Sequence, residues 1–284
     1  MLVSSLALLL GVYAAGVVRL WRTAGYGRGI RPFEALAFAC GWLALVVALA
    51  PPLDELSETW LVAHMLQHEL LMVMAAPLVA ISAPVIAVLW ALPSDARRRA
   101  IDSIRRPPIT VAWAALTAPL AVFLLHAIAL WVWHLPALYD YALEHEGVHA
   151  LQHICFFATA ALFWWGIAEG RYGRVSYGIA VVYVFATAVH SGVLGALLTF
   201  SPRVWYAPYV ANHPAGLTPL EDQQLAGLLM WVPAGLIFIA GGLVLFAAWL
   251  RQSDRLSRFG TGPAKAGRHI GPAEAGHYMP THTR

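Results

Sequence analysis

Charge is scarce in this sequence: Asp, Glu, Lys and Arg make up 12% of its 284 residues, where a soluble protein carries roughly 25%. So small a polar share excludes a water-solvated globule, and the chain must be solvated mainly by lipid. Strand-like alternation of apolar and polar residues is missing too, which argues against a membrane β-barrel. Cysteine occurs only at Cys40 and Cys155, both in apolar runs and without a C-x-x-C pattern. Packing thiols are expected there, not a disulfide or a redox pair.

What the chain does have is apolar sequence, 60% of it, with twelve tryptophans. Crossing a hydrocarbon core of about 30 Å takes roughly 20 helical residues. Seven runs are long enough, at about 2–20, 33–50, 60–80, 110–133, 148–168, 175–199 and 223–250. In lipid a helix satisfies its own backbone hydrogen bonds, so these runs read as helices. The expected fold class is all-α: an integral membrane bundle of seven transmembrane helices over 1–252, followed by a tail over 253–284. That tail repeats a Gly-Pro-Ala motif and has little apolar content, which predicts disorder and no catalytic role.

Charge placement supplies the orientation. With the connection from Arg19 to Arg31 in the cytoplasm, 17 of the 18 basic residues fall inside and only Arg203 falls outside, as the positive-inside rule requires. Asp54, Glu55, Glu58, Asp140, Glu144, Glu146, Glu221 and Asp222 then lie in outer connections. The expectation is an N-terminus outside and a C-terminus in the cytoplasm. The apolar stretch 60–92 exceeds one span, but two spans would put the arginines from Arg97 to Arg106 outside. Residues 83–92 therefore read as a kinked extension or an interfacial helix after Pro77 and Pro84. No basic residue precedes the first span, so it reads as a retained helix and not a cleaved signal. The net charge of +3 suits anionic lipid headgroups, and nucleic acid is not implied. In the outer connection 201–220, Trp205, Tyr206 and Tyr209 suit the headgroup layer. Thr218-Pro219-Leu220-Glu221 reads as a capping box opening the last helix.

Histidine carries the chemistry. Of twelve, His269, His277 and His282 sit in the tail. His64, His68, His126, His134, His145, His149, His153, His190 and His213 all fall in outer connections or the outer halves of spans. Because the arginines alone set the topology, this asymmetry is an independent signal. His64-Met-Leu-Gln-His68 and His149-Ala-Leu-Gln-His153 repeat one pattern, H-x-x-Q-H, on two spans that run inward. Residues i and i+4 share a helix face roughly 6 Å apart, so two parallel helices could present four imidazoles at matching depth. His68, His126 and His190 reach roughly 12 Å below the outer surface, counted at about 1.5 Å per residue. A buried imidazole is costly in lipid unless it finds a partner, and a metal ion is one partner that serves several at once.

His64, His68, His149 and His153 are the main candidate ligands, with His126, His134 and His190 as candidates to complete the set. The alternative for each is a helix–helix hydrogen bond, and for His145 and His213 simple solvation. Imidazole suits zinc, copper, iron and nickel; Met72, one turn beyond His68, tilts the choice toward copper, though methionine also fills gaps between helices. Gln67 and Gln152 read as interhelical donors near the ligands. Glu69 points to another face, where it reads as a proton or metal partner or as a pair for a polar neighbour. Asp140 and Asp222 read as capping or interface residues, with metal capture as the alternative.

Several of these segments resemble the CtaG family of bacterial cytochrome c oxidase assembly factors. They are His64-Met-Leu-Gln-His68 with Leu-Leu-Met and Ala-Ala-Pro77, Trp133-His134-Leu-Pro136-Ala-Leu-Tyr139-Asp140, His149-Ala-Leu-Gln-His153 with Leu162-Phe-Trp-Trp165, and the run Leu194 to Pro202. The closest block is Gly216-Leu-Thr-Pro219-Leu-Glu-Asp222-Gln-Gln-Leu-Ala-Gly-Leu-Leu-Met230-Trp-Val-Pro233. The resemblance covers about 31–250 and implies an assembly factor or metal chaperone for the haem–copper oxidase, not an enzyme. It further implies copper as the bound species, oxidase subunits and membrane lipid as partners, and a multi-pass place in the bacterial cytoplasmic membrane. A membrane redox enzyme or a haem-b electron carrier using the same histidines is the alternative. A proton-coupled copper transporter would need polar groups through the inner leaflet, where few occur.

Overall fold

A computed structural model describes residues 2–169, 177–211 and 213–260. Among them every regular element is helical. Six helices are long and apolar enough to cross a membrane, and one bent pair makes a seventh. The chain is a multi-pass all-α membrane protein, as its composition requires.

α1 (Leu2–Ala24) and α2 (Pro32–Leu49) open the chain. After the short α3 (Leu53–Ser57) comes α4 (Leu61–Glu69), continued by a π-helical turn, Leu70–Ala75, and α5 (Ala76–Ile81). Together these last three form the span Leu61–Ile81. Pro77 lacks an N–H for the carbonyl four residues back, and the widened turn lies just before it. Within that turn the Met72 carbonyl accepts a hydrogen bond from the Trp164 indole at 3.0 Å.

The ambiguous stretch 83–92 forms a helix of its own, α6 (Pro84–Ala91), set off by Ala83 in the left-handed region at φ 53°. It packs on α1. The Tyr13 hydroxyl donates to the Ser82 carbonyl and the Arg19 guanidinium to the Ala91 carbonyl, both at 2.9 Å. Gly16 is required at the crossing, because a Cβ there would run into the Ala87 carbonyl. The arginine-rich α7 (Ser94–Ile104) follows, with no buried residue, and Arg97 stacks 4.0 Å over the Trp90 ring.

The run 110–133, expected as one continuous helix, is broken. α8 (Pro107–Leu116) and α9 (Pro119–Trp133) meet at 61°. Pro119 lacks an N–H, and the residue before a proline is driven out of the helical region; Ala118 is extended at φ −60°, ψ 135°.

α10 (Pro136–Glu144), α11 (Glu146–Glu169), α12 (Tyr177–Phe200), α13 (Pro208–Ala211) and α14 (Pro219–Gly260) complete the order. α12 and α14 cross closely, since a Cβ on Gly227 would lie 2.6 Å from the Thr199 nitrogen. α14 continues to Gly260; the rest of the tail, with His269, His277 and His282, lies outside the described residues. Cys40 is exposed and Cys155 half-buried, and neither is bonded. The largest apolar core joins α4, the π turn, α9, α11, α12 and α14 through Met65, Met72, Leu130, Phe156, Phe163, Leu198 and Met230.

Candidate metal centre

α4 and α11 bring the two H-x-x-Q-H repeats together. Ring centroids lie 4.9 Å apart for His64 and His149, 5.9 Å for His64 and His153, and 5.3 Å for His68 and His153. The fifth member is His134, at the C-terminal cap of α9 and 5.8 Å from His68. All except the half-buried His149 are buried.

Hydrogen bonds assign the proton on two of these rings. The Tyr209 hydroxyl lies 2.9 Å from both the Ser57 carbonyl and His64 Nδ1. A carbonyl only accepts, so the single phenolic proton goes to Ser57, and His64 Nδ1–H donates to the Tyr209 oxygen. His64 Nε2 is then a bare lone pair, and it faces His68 Nε2 at 3.0 Å. His134 Nδ1 donates to the Leu130 carbonyl at 2.7 Å, which leaves His134 Nε2 as a lone pair. Burial pushes His134 down to about 4, with the Leu130 bond opposing, so this imidazole stays neutral and able to ligate.

The fit to a cation can be judged from what is left unpaired. His68 Nδ1, His134 Nε2, His149 Nε2 and His153 Nε2 are buried without a hydrogen-bond partner, a costly state for ring nitrogens. One ligand atom each from His64, His149 and His153 lie within 4.8 Å of one another. Tetrahedral nitrogens about 2.0 Å from one ion are roughly 3.3 Å apart, so each ring would move inward by less than about 1 Å. Imidazole nitrogens, with the Tyr139 and Tyr209 rings beside His64, line this point, a donor set for a soft or borderline cation.

A shell of residues holds the rings. Gln67 Nε2 donates to the Ala48 carbonyl at 2.7 Å and to Asp54 Oδ1 at 3.1 Å, and Gln152 Nε2 to the Trp133 carbonyl at 3.4 Å. Both glutamines are thus interhelical donors, as the repeated pattern predicts. The Tyr206 hydroxyl donates to the His134 carbonyl at 3.1 Å, and the Tyr206 ring stacks 4.0 Å from Tyr139. Burial pushes the Tyr206 and Tyr209 phenols up, so both remain protonated donors. Tyr206 and Tyr209, expected to suit the headgroup layer, are buried within the protein, with Tyr209 against His64 and Tyr206 bonded to the His134 backbone.

The start of α14 is the other support. Thr218 and Glu221 form the expected capping box: Thr218 N donates to Glu221 Oε2 at 2.7 Å and Glu221 N to Thr218 Oγ1 at 3.3 Å. Asp222, fully buried, does not cap its own helix. Its carboxylate accepts from the Leu61 and Val62 N–H groups at 2.7 and 3.1 Å, capping α4 three residues before His64. Gln223 accepts from Trp205 N at 2.7 Å and donates to the Arg203 carbonyl at 3.1 Å. Each polar residue of the Glu-Asp-Gln run therefore holds a different piece of the site. Beside His134 a cavity of about 460 Å³, also lined by Trp131, Arg203 and Trp205, approaches the cluster.

His126 and His190, candidates to complete the set, are not brought to the five. His126 lies two turns from His134 along α9. It stacks on Phe163 at 5.8 Å and faces His190 at 6.3 Å. Phe156, against His68 and His134, occupies the next turn of α11 after His153. Met72 sits in the apolar core. His145 is exposed with Nδ1 donating to the Tyr141 carbonyl at 2.9 Å, and His213 donates Nε2 to the Leu217 carbonyl at 2.8 Å.

Tyr139, Tyr206, Tyr209 and the true partner of Asp222 escape sequence reasoning, because no spacing links residues from distant loops. The aromatic density of 201–220 and the blocks around Tyr139 and Asp222 were the traces.

Residues 11–252 match the model of the cytochrome c oxidase caa3 assembly factor family. No curated protein and no solved structure matches the chain. The family match covers both H-x-x-Q-H repeats, His134 and the whole Glu-Asp-Gln run, so the chain belongs to the cytochrome c oxidase caa3 assembly factor family, and its role is in assembling that oxidase.

Proposed function

We propose that the protein serves oxidase assembly by binding copper in the cluster of His64, His68, His134, His149 and His153 and delivering it to oxidase subunits. The observation that carries this reading is that His64, His149 and His153 bring one ring nitrogen each within 4.8 Å of one another, with His68 and His134 packed beside them and the Nε2 atoms of His134, His149 and His153 unpaired. Copper is the metal a haem–copper oxidase must acquire, and imidazole is a good ligand for it. In this reading copper is cargo. His68 Nε2–H donates to His64 Nε2 when the site is empty, and the arriving ion takes the lone pairs while that proton moves to His68 Nδ1.

The positive-inside rule puts the cluster on the outer face of the bacterial cytoplasmic membrane, with the N-terminus outside and the C-terminus in the cytoplasm. The cavity beside His134 is the route by which a metal donor or an oxidase subunit reaches it.

Metal analysis of the purified protein tests this, wild type beside His68→Ala and His153→Ala. The expected result is bound copper in the wild type, its loss in both variants with insertion intact, and a host oxidase deficient in copper while haem remains. Full oxidase activity at limiting copper in the His68→Ala, His153→Ala double variant would overturn the proposal. So would a Soret band that disappears with either substitution, because the cluster would then hold haem.

A further inference from the structure

Outside the five-histidine cluster, one pair of metal-ligating side chains has no assigned role. His126 stands near the middle of α9 and His190 near the middle of α12. Their ring centroids are 6.3 Å apart. Two imidazoles sharing one ion at nitrogen–metal lengths of about 2.0–2.1 Å hold their ring centres roughly 6 Å apart. The observed spacing is therefore one that a single ion spans, and it is too long for a direct hydrogen bond between the rings.

The proton positions agree. The Thr159 hydroxyl donates its one proton to the Cys155 carbonyl at 2.8 Å, so its 3.3 Å contact with His126 Nδ1 is a donation from the ring. His126 Nε2 then carries the lone pair. Both nitrogens of His190 are buried and have no hydrogen-bond partner among the described residues. An imidazole with neither nitrogen satisfied at membrane depth is expensive, and such groups mark functional positions. The other neighbours are aromatic: Phe163 stacks on His126, and Phe123 lies 5.6 Å from His190.

We propose that His126 and His190 form a second copper site, separate from the five-histidine cluster, which holds one cuprous ion between two imidazoles within the bundle. Two neutral ligands favour the soft monovalent ion, whose preferred geometries include linear two-coordination. A divalent cation without an anionic ligand would cost far more to desolvate. Binding needs no proton release, because each ring offers a lone pair and keeps its other N–H. On α9 the pair lies eight residues, about 12 Å, deeper than His134, so copper bound at the outer cluster has a second resting place one step inward. The site stands on its own geometry and does not require that the outer cluster bind copper.

Cuprous ion is the probe, added without oxygen to the purified full-length protein and competed with bicinchoninate. His126→Ala and His190→Ala should each lower the bound copper by one equivalent. A variant carrying His64→Ala, His68→Ala, His149→Ala and His153→Ala should keep one equivalent, with X-ray absorption showing two nitrogen neighbours near about 2 Å. His190→Cys should keep that equivalent and exchange one nitrogen neighbour for sulfur, which a misfolded protein would not do. Unchanged stoichiometry in His126→Ala and His190→Ala, or no sulfur neighbour in His190→Cys, overturns this site. Loss confined to the pair variants, with the four-histidine variant binding as wild type, supports it and refutes the outer cluster instead.

Discussion

Replacing Asp222 by alanine removes both acceptors of the Leu61 and Val62 N–H groups. Those amides open α4, and a helix supplies no internal partner for its first N–H groups. Leaving a buried donor unsatisfied costs about 1–3 kcal/mol, and losing a carboxylate at a helix N-terminus costs up to about 2 kcal/mol more. Water can rescue part of this at the start of the span, so a net loss of about 3 kcal/mol is expected. For a domain of 150–250 residues, 1 kcal/mol corresponds to about 2–4 °C, so Tm should fall by about 6–12 °C. Asp222→Asn keeps one acceptor oxygen and should lose about half as much. Thermal loss of monodisperse protein in detergent, followed by size-exclusion fluorescence, reads the shift. Copper binding should weaken with it, because Leu61 lies less than one turn from His64. If Asp222→Ala melts within about 1 °C of the wild type, the cap is not what positions α4.

The spans and the main histidine cluster were legible because both are local signals. A hydrophobic run announces its own length, and H-x-x-Q-H fixes two imidazoles on one helix face whatever lies opposite. The two repeats also predicted their partner, since spans of equal direction place equal depths together. The break before Pro119 was written in the sequence but overridden by the length of the apolar run. What the sequence could not carry were pairings over long separations. Asp222 sits at the start of its own helix, where an acidic residue is the ordinary choice, and its partner is 161 positions away. Tyr206 and Tyr209 obey the rule for interfacial aromatics equally well, and only the folded loop shows them turned inward. His126 and His190 looked like members of the cluster because depth alone was available; the aromatic layer around Phe156 and Phe163 separates them.

Two further predictions test orientation and the shell around His64. A cysteine at the exposed position Glu58 should react with an impermeant maleimide in whole cells, and one at the exposed position Asp102 should not; labelling of Asp102→Cys alone would place the cluster on the cytoplasmic side. Tyr209→Phe keeps the buried ring and removes only the hydroxyl that joins Ser57 to His64. One lost hydrogen bond costs about 0.5–1.5 kcal/mol of stability, a small shift in Tm. The effect on metal should be larger, because the phenol fixes which nitrogen of His64 carries the proton. Without it the ring can place its proton on Nε2, toward His68, and occupy the lone pair that the ion needs. Loss of such an orienting partner lowers metal affinity about 10–100-fold. Copper affinity measured by chelator competition should therefore fall well beyond what the melting shift explains. If affinity stays at the wild-type value while Tm drops, Tyr209 only packs the lid, and the tautomer of His64 is set elsewhere.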